Sequence, residues 1–271
     1  MDRSDSDFVP AEIIAVGREL LSGQTLDTNS SWLARRITAL GGRLSRIAVV
    51  DDRIEEIVTE LRKALRRPKA LVITTGGLGP TFDDLTLQAM ARATGRELVL
   101  DPGALAFVRE RYRFFHEQGA VESGRITPKR RKMAILPRGA VFLPNAVGAA
   151  PGVKIETKGR VVYALPGVPA EMRWIFEETM IEDLKRIFGR RVILEETILT
   201  PFNDESKLGA LVDRVMKEVP GVYLKSKATA FGRSVRLGLV VTAAGEEEKA
   251  VRERIREAQA RLRSLWDPSR C

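Results

Sequence analysis

ALVITTGGLGPTFDD, residues 70–84, decides the fold. The apolar run that opens it is too continuous to be half exposed, and parallel strands covered on both faces read this way. The run ends in glycines at Gly76, Gly77 and Gly79, and Asp83 and Asp84 then open a helix. Working outward, AEIIAVG (11–17) and RLSRIAVV (43–50) read as two more strands. Between them a helix starts near Thr28, with Trp32, Leu33, Arg36, Ile37 and Leu40 on one face and Gly41-Gly42 as its stop. Ile54, Ile57, Val58, Leu61 and Leu65 carry the next helix, which Pro68 closes. Strand and helix thus alternate through residue 95. That pattern predicts an α/β fold with a doubly wound, mostly parallel sheet.

Beyond it, Leu105, Val108, Tyr112 and Phe115 predict a helix over 103–118, and residues 119–133 read as basic and irregular. Short strands are expected at 141–143 and 160–165. One helix from Pro169 to Phe188 is expected to bury Met172, Ile175, Phe176, Thr179, Leu184 and Ile187. After Gly189 the pattern changes. Strands at 192–200, 222–227 and 234–244 and helices at 204–218 and 246–266 predict a second, smaller α+β domain over 190–266. The expected organisation is a flexible polar tail at 1–10, a first domain at 11–188 and the small β-α-β-β-α domain at 190–266.

Composition narrows the chemistry. The 271 residues include 45 Lys plus Arg and 36 Asp plus Glu, a formal net charge of +9. Hydrophobic residues make up 44%, a globular proportion. The one cysteine, Cys271, excludes a disulfide or cysteine-zinc framework within one chain. The one histidine, His116, argues against multi-histidine metal sites and histidine-based triads. No apolar signal core opens the chain and no run reaches the roughly 18 residues of a membrane span, so a cytoplasmic protein is expected. Catalysis would fall to carboxylates, hydroxyls, amides, backbone N–H groups or a bound cation. The positive excess is spread over both parts of the chain, and aromatic residues are only 6%. A nucleic-acid partner is disfavoured on those grounds and because 190–266 has no GxxG loop. The basic run RITPKRRK (125–132) reads first as a solvated surface.

The glycine loop is the strongest chemical signal. Glycines let a backbone approach a ligand closely, and a helix start offers free N–H groups to a phosphate. Asp83 and Asp84 would repel that phosphate unless a cation lay between them. Three further polar clusters sit at predicted strand ends: GRELLSGQTLDTN (17–29), Asp51-Asp52 and PGVPAE (166–171). In doubly wound sheets ligands bind beyond the carboxyl ends of strands, at the point where strand order reverses. If strands one and three are neighbours, Glu19, Asn29, Asp52 and Asp84 could face one crevice. Each has a structural alternative. Asp84, Asn29 and Asp52 could cap helices, and Glu171 could serve the first turn of one.

AEIIAVGRELLSGQTLDTN, TTGGLGPTFDD, PNAVGAAPGV (144–153) and ALPGVPAEM (164–172) resemble the N-terminal domain of the competence/damage-inducible CinA family, itself similar to the MoaB/Mog molybdopterin-binding fold. The segment 190–266 resembles the KH-like α+β segment of that family. The resemblance stops short of the nicotinamide-mononucleotide deamidase domain of full-length bacterial members, so that activity is not carried over. It implies a site dependent on a divalent cation (Mg²⁺, Mn²⁺ or Co²⁺) and an ADP-ribose pyrophosphatase activity giving AMP and ribose 5-phosphate. The alternative it implies is pterin binding, with or without adenylyl transfer. It assigns Asp84, Asp52 and Asp83 as catalytic and cation-holding. Gly76, Gly77, Gly79, Thr81, Glu19, Asn29, Asn145, Gly148, Gly167 and Glu171 are assigned to an anionic nucleotide or pterin ligand. Relatives' assemblies imply a homo-oligomer, a dimer before a trimer. Two departures stand out: Arg18, where a small polar residue is common, and Lys225-Ser226-Lys227-Ala228, where Lys-Ser-His-Pro is common.

Overall fold

The computed structural model describes residues 9–189, 192–202, 204–227 and 237–266. The chain forms two compact units, residues 1–38 with 42–187 and residues 39–41 with 188–271. Of the polar tail, residues 1–8 lie outside the described residues, and the first strand already begins at Pro10.

In the first unit β1 (Pro10–Val16) leads through a short α1 (Arg18–Leu21) to α2 (Thr28–Ala39), β2 (Arg43–Val50), α3 (Ile54–Leu65), β3 (Leu71–Thr75) and α4 (Thr86–Thr94). After β4 (Leu98–Leu100) come α5 (Pro102–Glu117), α6 (Pro128–Lys132), β5 (Ile135–Pro137), β6 (Val141–Leu143), β7 (Gly152–Thr157), β8 (Arg160–Leu165), α7 (Pro169–Ile175) and α8 (Ile181–Phe188). Six strands form one sheet in the order β2-β1-β3-β8-β7-β6. β2, β1, β3 and β8 run parallel, while β7 and β6 are antiparallel additions. Every residue of β3 is buried, as a central strand covered on both faces requires. Ile14, Val16, Val72, Ile57, Leu61 and Met90 belong to one core formed by the sheet and its helices.

Strands one and three are neighbours, and the chain leaves β1 on one side for β2 and returns on the other for β3. Val16 pairs with Val50, Ala15 with Thr75 and Thr75 with Leu165, so the carboxyl ends of four parallel strands fall in line. Gly17, Asp51, Gly76 and Pro166 therefore leave the sheet along one edge.

Several expectations change. β4 and β5 form an unforeseen two-stranded sheet, and part of the basic stretch 119–133 is the helix α6, capped by the Thr127 hydroxyl. β7 also was not foreseen. Val153 and Ile155 point inward, and a two-residue turn at Lys158-Gly159, both at positive φ, returns the chain to β8. The helix expected over 169–188 is broken by a π turn at Phe176–Met180, inside which Thr179 donates its hydroxyl to the Ile175 carbonyl. That wider turn keeps Phe176 and Met180 buried and leaves Thr179 and Ile187 only half buried. Trp32, expected in the core, is also half buried, edge-on to Phe176 and flanked by the Arg36 and Arg173 guanidinium groups.

Inside β1, Glu12 is buried and pairs with Arg67. Arg67→Ala strands that carboxylate in the sheet and is expected to lower stability by about 1–3 kcal/mol. Urea unfolding of the two proteins measures the difference.

The second unit runs β9 (Val192–Leu199), α9 (Ser206–Glu218), β10 (Val222–Lys227), β11 (Gly238–Gly245) and α10 (Glu248–Trp266). Its antiparallel sheet, ordered β10-β11-β9, buries Leu224, Leu239 and Val241 with Val251, Ile255 and Leu262 of α10. Residues 234–236 of the expected strand 234–244, and Ala228 of the departing Lys225–Ala228 segment, lie outside the described residues.

Candidate functional site

The glycine loop is set by the strand ends beneath it. The Gly76 amide donates to the Leu165 carbonyl at 3.0 Å, which extends the β3–β8 ladder by one residue. The Thr86 hydroxyl donates to the Gly76 carbonyl at 2.7 Å, and the Thr86 amide to the Gly77 carbonyl at 3.1 Å. α4 therefore begins at Thr86, well after the glycines, and its first N–H is spent on the loop. The expectation that this helix start would hold a phosphate is corrected. Gly76, Gly77 and Gly79 line the crevice and no described residue of α4 does.

Asp84 does not cap α4 either. Its Oδ2 accepts from the Thr81 amide at 2.7 Å and lies 2.6 Å from the Thr81 hydroxyl. Asp83 reaches the same hydroxyl, whose single proton can serve one carboxylate at a time. That bond, helped by the Lys132 charge, holds the Asp83 carboxyl below its ordinary range. Lys132 donates to the Thr81 carbonyl, and burial pushes its ammonium down against the pull of Asp84 and Asp83.

On the β1–β2 side the Gly17 amide donates to the Val50 carbonyl at 3.1 Å. Asp52 Oδ2 accepts from the Arg18 amide at 2.8 Å, and α3 carries no side-chain cap, so the capping alternative for Asp52 fails. The Arg18 guanidinium makes two bonds to Asp51, at 3.1 and 3.0 Å. Its charge is thus committed to Asp51, which it holds below the ordinary carboxylate range. Asp52 moves the other way. Burial raises its proton affinity, and the charges of Glu19, Asp83 and Asp51 add to the effect.

On the β8 side Glu171 lies in the first turn of α7, as its structural alternative supposed, and it is also tied to a loop. Asn145 donates to Glu171 at 2.6 Å and to the Ala150 carbonyl at 2.9 Å, while its Oδ1 accepts from the Val147 and Gly148 amides. The carboxylate lies so close over Gly148 that a Cβ there would be 2.0 Å from Oε2. Burial raises the Glu171 pKa, opposed by the Asn145 bond and the Arg111 charge. A carboxyl that binds its proton more tightly when folded loses stability for the protein as pH rises through its titration. Glu171→Gln is therefore expected to raise Tm at neutral pH, with the gain fading as pH falls through the carboxylate range. A pH series of thermal melts reads this.

Asn29 is no cap. Its Nδ2 donates to the Gly167 carbonyl at 2.7 Å and to the Thr75 hydroxyl at 3.1 Å, joining α2, β3 and the loop after β8. Asp27 does the capping, through the Ser30 amide.

Together these edges enclose a crevice of about 500 Å³. Of the residues expected at the site, Glu19, Asp52, Gly76, Gly77, Gly79, Thr81, Asp83, Asp84, Gly167 and Glu171 line it. Asn145 and Gly148 organise the neighbouring loop without lining the crevice, and Asn29 lines a smaller adjoining pocket. Among the described residues five carboxylates face the crevice and no Lys, Arg or His lines it. Among the described residues no three such side chains converge as a ready-made metal centre, so a bound cation would need ligand oxygens or water to complete its shell.

Residues 12–186 match the family model described as "Probable molybdopterin binding domain". The chain belongs to this family. A protein of Aeropyrum pernix is 46% identical over 216 residues, which cover 80% of this chain and 78% of the relative. A Pyrococcus furiosus protein is 39% identical, over 89% of this chain and 94% of that one. The crystal structure of CinA from Thermoplasma acidophilum, described as of unknown function, superposes with a TM-score of 0.60 at 37% identity. It covers 66% of this chain and 99% of its own.

All the crevice residues lie within the span of the molybdopterin-binding family match. Sequence reasoning missed three residues at or beside the crevice. Tyr112 lines the crevice, with the Arg130 guanidinium 3.8 Å from its ring centroid. Met133 lines it too, and Lys132 supports the Thr81 turn from beneath. The run 125–132 thus packs partly against crevice residues, Arg130 on Tyr112 and Lys132 on Thr81, and is not a freely solvated surface. Among the described residues no helix is long and apolar enough to cross a membrane.

Proposed function

We propose that the crevice binds the diphosphate of a small nucleotide derivative with a divalent cation and hydrolyses it, with ADP-ribose as the substrate. The observation that carries this is the lining: among the described residues five carboxylates and no basic side chain line the crevice, and Lys132, the cation beside the glycine loop, is turned to the Thr81 carbonyl. A diphosphate could not enter that field alone, because like charges at close range repel. A divalent cation between them would turn the repulsion into attraction and neutralise charge developing on the phosphate. Asp84 and Asp83 are suited to hold it, one anchored by the Thr81 amide and both sharing the Thr81 hydroxyl. The amides of Gly77 and Gly79 would take the phosphate oxygens, the Gly76 amide being tied to Leu165. Asp52 has a raised proton affinity, and the Arg18 amide takes its Oδ2. Asp52 would accept a proton from the attacking water. The water oxygen bonds to one phosphorus, the bond from that phosphorus to the bridging oxygen breaks, and AMP and ribose 5-phosphate leave.

The second reading is a pterin-binding protein without turnover, which the family description favours. Incubating the protein with ADP-ribose and Mg²⁺, Mn²⁺ or Co²⁺ separates the two. Cation-dependent release of AMP and ribose 5-phosphate supports the hydrolase. Pterin binding with no turnover of any nucleoside diphosphate derivative overturns it.

A further inference from the structure

A cation and a diphosphate leave part of the crevice wall unused. Tyr112, Met133, Ala149 and Ala150 line the crevice and carry no charge. Met133 and Ala150 belong to the core of the first unit, and Tyr112 and Ala149 pack against it. Met133 follows Lys132, whose ammonium donates to the Thr81 carbonyl. The Ala150 carbonyl accepts from Asn145, which also donates to Glu171. This apolar wall therefore adjoins both the glycine-loop turn and the Glu171 side of the site. A phosphate gains nothing from it. An apolar part of the same ligand does, because taking apolar surface out of water is favourable.

Tyr112 is the most fully prepared part of that wall. Val108, one turn earlier on α5, fixes the helix in the core. The Arg130 guanidinium lies 3.8 Å from the Tyr112 ring centroid, pinned there by the Ser123 and Arg125 carbonyls at 2.5 and 2.7 Å. Phe115 stands nearly perpendicular to the ring, at 6.3 Å. The ring is thus held before any ligand arrives, which lowers the ordering cost of binding against it. Tyr112 lines the crevice and Arg130 does not, so Tyr112 meets the crevice on a side that the guanidinium leaves bare. The cation behind the ring also selects what can lie on it. Two parallel aromatic faces repel, because each carries negative charge. A guanidinium on one face draws that charge toward itself and makes the other face a better platform for a second π system. An aliphatic group gains nothing from that polarisation.

We propose that Tyr112 is the platform on which the heterocyclic base of the ligand stacks, with Met133, Ala149 and Ala150 as its apolar surround. The proposal rests on the diphosphate reading of the crevice. It deepens that reading by naming the residue that makes the crevice prefer a nucleoside diphosphate derivative to a diphosphate without a base.

The test uses α,β-methylene-ADP-ribose, which cannot be hydrolysed at the diphosphate, and its abasic counterpart, in which a hydroxyl replaces adenine. Both are titrated calorimetrically into the full chain with Mg²⁺. The parent protein should bind the adenine compound about 10-fold more tightly or better, the scale of base–aromatic stacking. Tyr112→Leu should lower the ratio of the two dissociation constants at least about 5-fold. Tyr112→Phe should keep the parent's ratio, because it keeps the ring. Thermal melts check that each variant is folded. Ala149→Phe bulks out the apolar wall from the loop that carries Asn145 and leaves Tyr112 in place, so it should lower the same ratio even where Tyr112→Leu does not fold. Equal affinity of the parent protein for both compounds overturns the platform and leaves the diphosphate reading standing. So does a ratio unchanged in folded Tyr112→Leu, or one lost as fully in Tyr112→Phe. Binding of neither compound overturns both.

Discussion

Replacing Asp84 with asparagine is expected to cut cation-dependent turnover of ADP-ribose by about 10²–10³-fold, the usual effect of removing one preorganised electrostatic group. The same change should shift Tm by no more than about 2–4 °C, which corresponds to about 1 kcal/mol in a chain of this size. The two effects separate because the carboxylate does two things. Its Oδ2 holds the turn by accepting from the Thr81 amide at 2.7 Å, and an asparagine oxygen can do the same. Its charge has no replacement. Of the five carboxylates on the crevice only Asp83 and Asp84 belong to the glycine loop's own turn, so losing one halves the loop's hold on a cation. Raising the Mg²⁺ concentration should recover part of the lost rate, because cation affinity is what has been weakened. Full parental activity in a folded Asp84→Asn protein would remove Asp84 from the mechanism. Thr81→Ala is the matching control, since it removes the shared hydroxyl and leaves both charges and the Thr81 amide bond in place.

What could be read from the sequence follows the range of each physical signal. The parallel sheet was legible because β1 and β3 are buried on both faces and so are written as mostly apolar stretches, with Glu12 the one charge among them. The site's edge was legible for the same reason: once the strands are located, whatever follows Val16, Val50, Thr75 and Leu165 must share an edge. β7 carried a local signal that went unread. Val153-Lys154-Ile155-Glu156 alternates, and Lys158-Gly159 fits a tight hairpin turn. Other features had no local signal. Lys132 reaches the Thr81 carbonyl across 51 residues of chain, and Asn29 reaches Gly167 across 138, so only the folded topology brings them together. The role of Asp84 was hardest to read. An aspartate just ahead of a helix usually caps it, and here the helix starts two residues later, at Thr86, while the carboxylate turns back to Thr81.

Gly76→Ala is expected to destabilise the first unit by about 3–5 kcal/mol, a cost reserved for backbone strain combined with a clash that cannot relax. Gly76 has φ +103, a conformation L side chains rarely adopt, and a Cβ built there lies 2.2 Å from the Val16 carbonyl oxygen. That oxygen is backbone at the end of a central strand, so no side-chain rotation can relieve the contact. The opposite side is closed as well. The Gly76 amide is tied to Leu165, and Gly167 packs so near that its own Cβ would touch the Gly76 Cα at 3.4 Å. Gly23 supplies the comparison, with φ +74 and nothing within 4 Å of an added Cβ. Gly23→Ala therefore pays only the conformational term, about 1–2 kcal/mol. Thermal melts of both variants decide the matter, and equal losses would mean that conformation alone demands a glycine at Gly76. A larger loss at Gly76 ties folding to the site, because the close approach of β1, β3 and the loop after β8 that forbids a side chain also brings Glu19, Asp84 and Glu171 to one crevice.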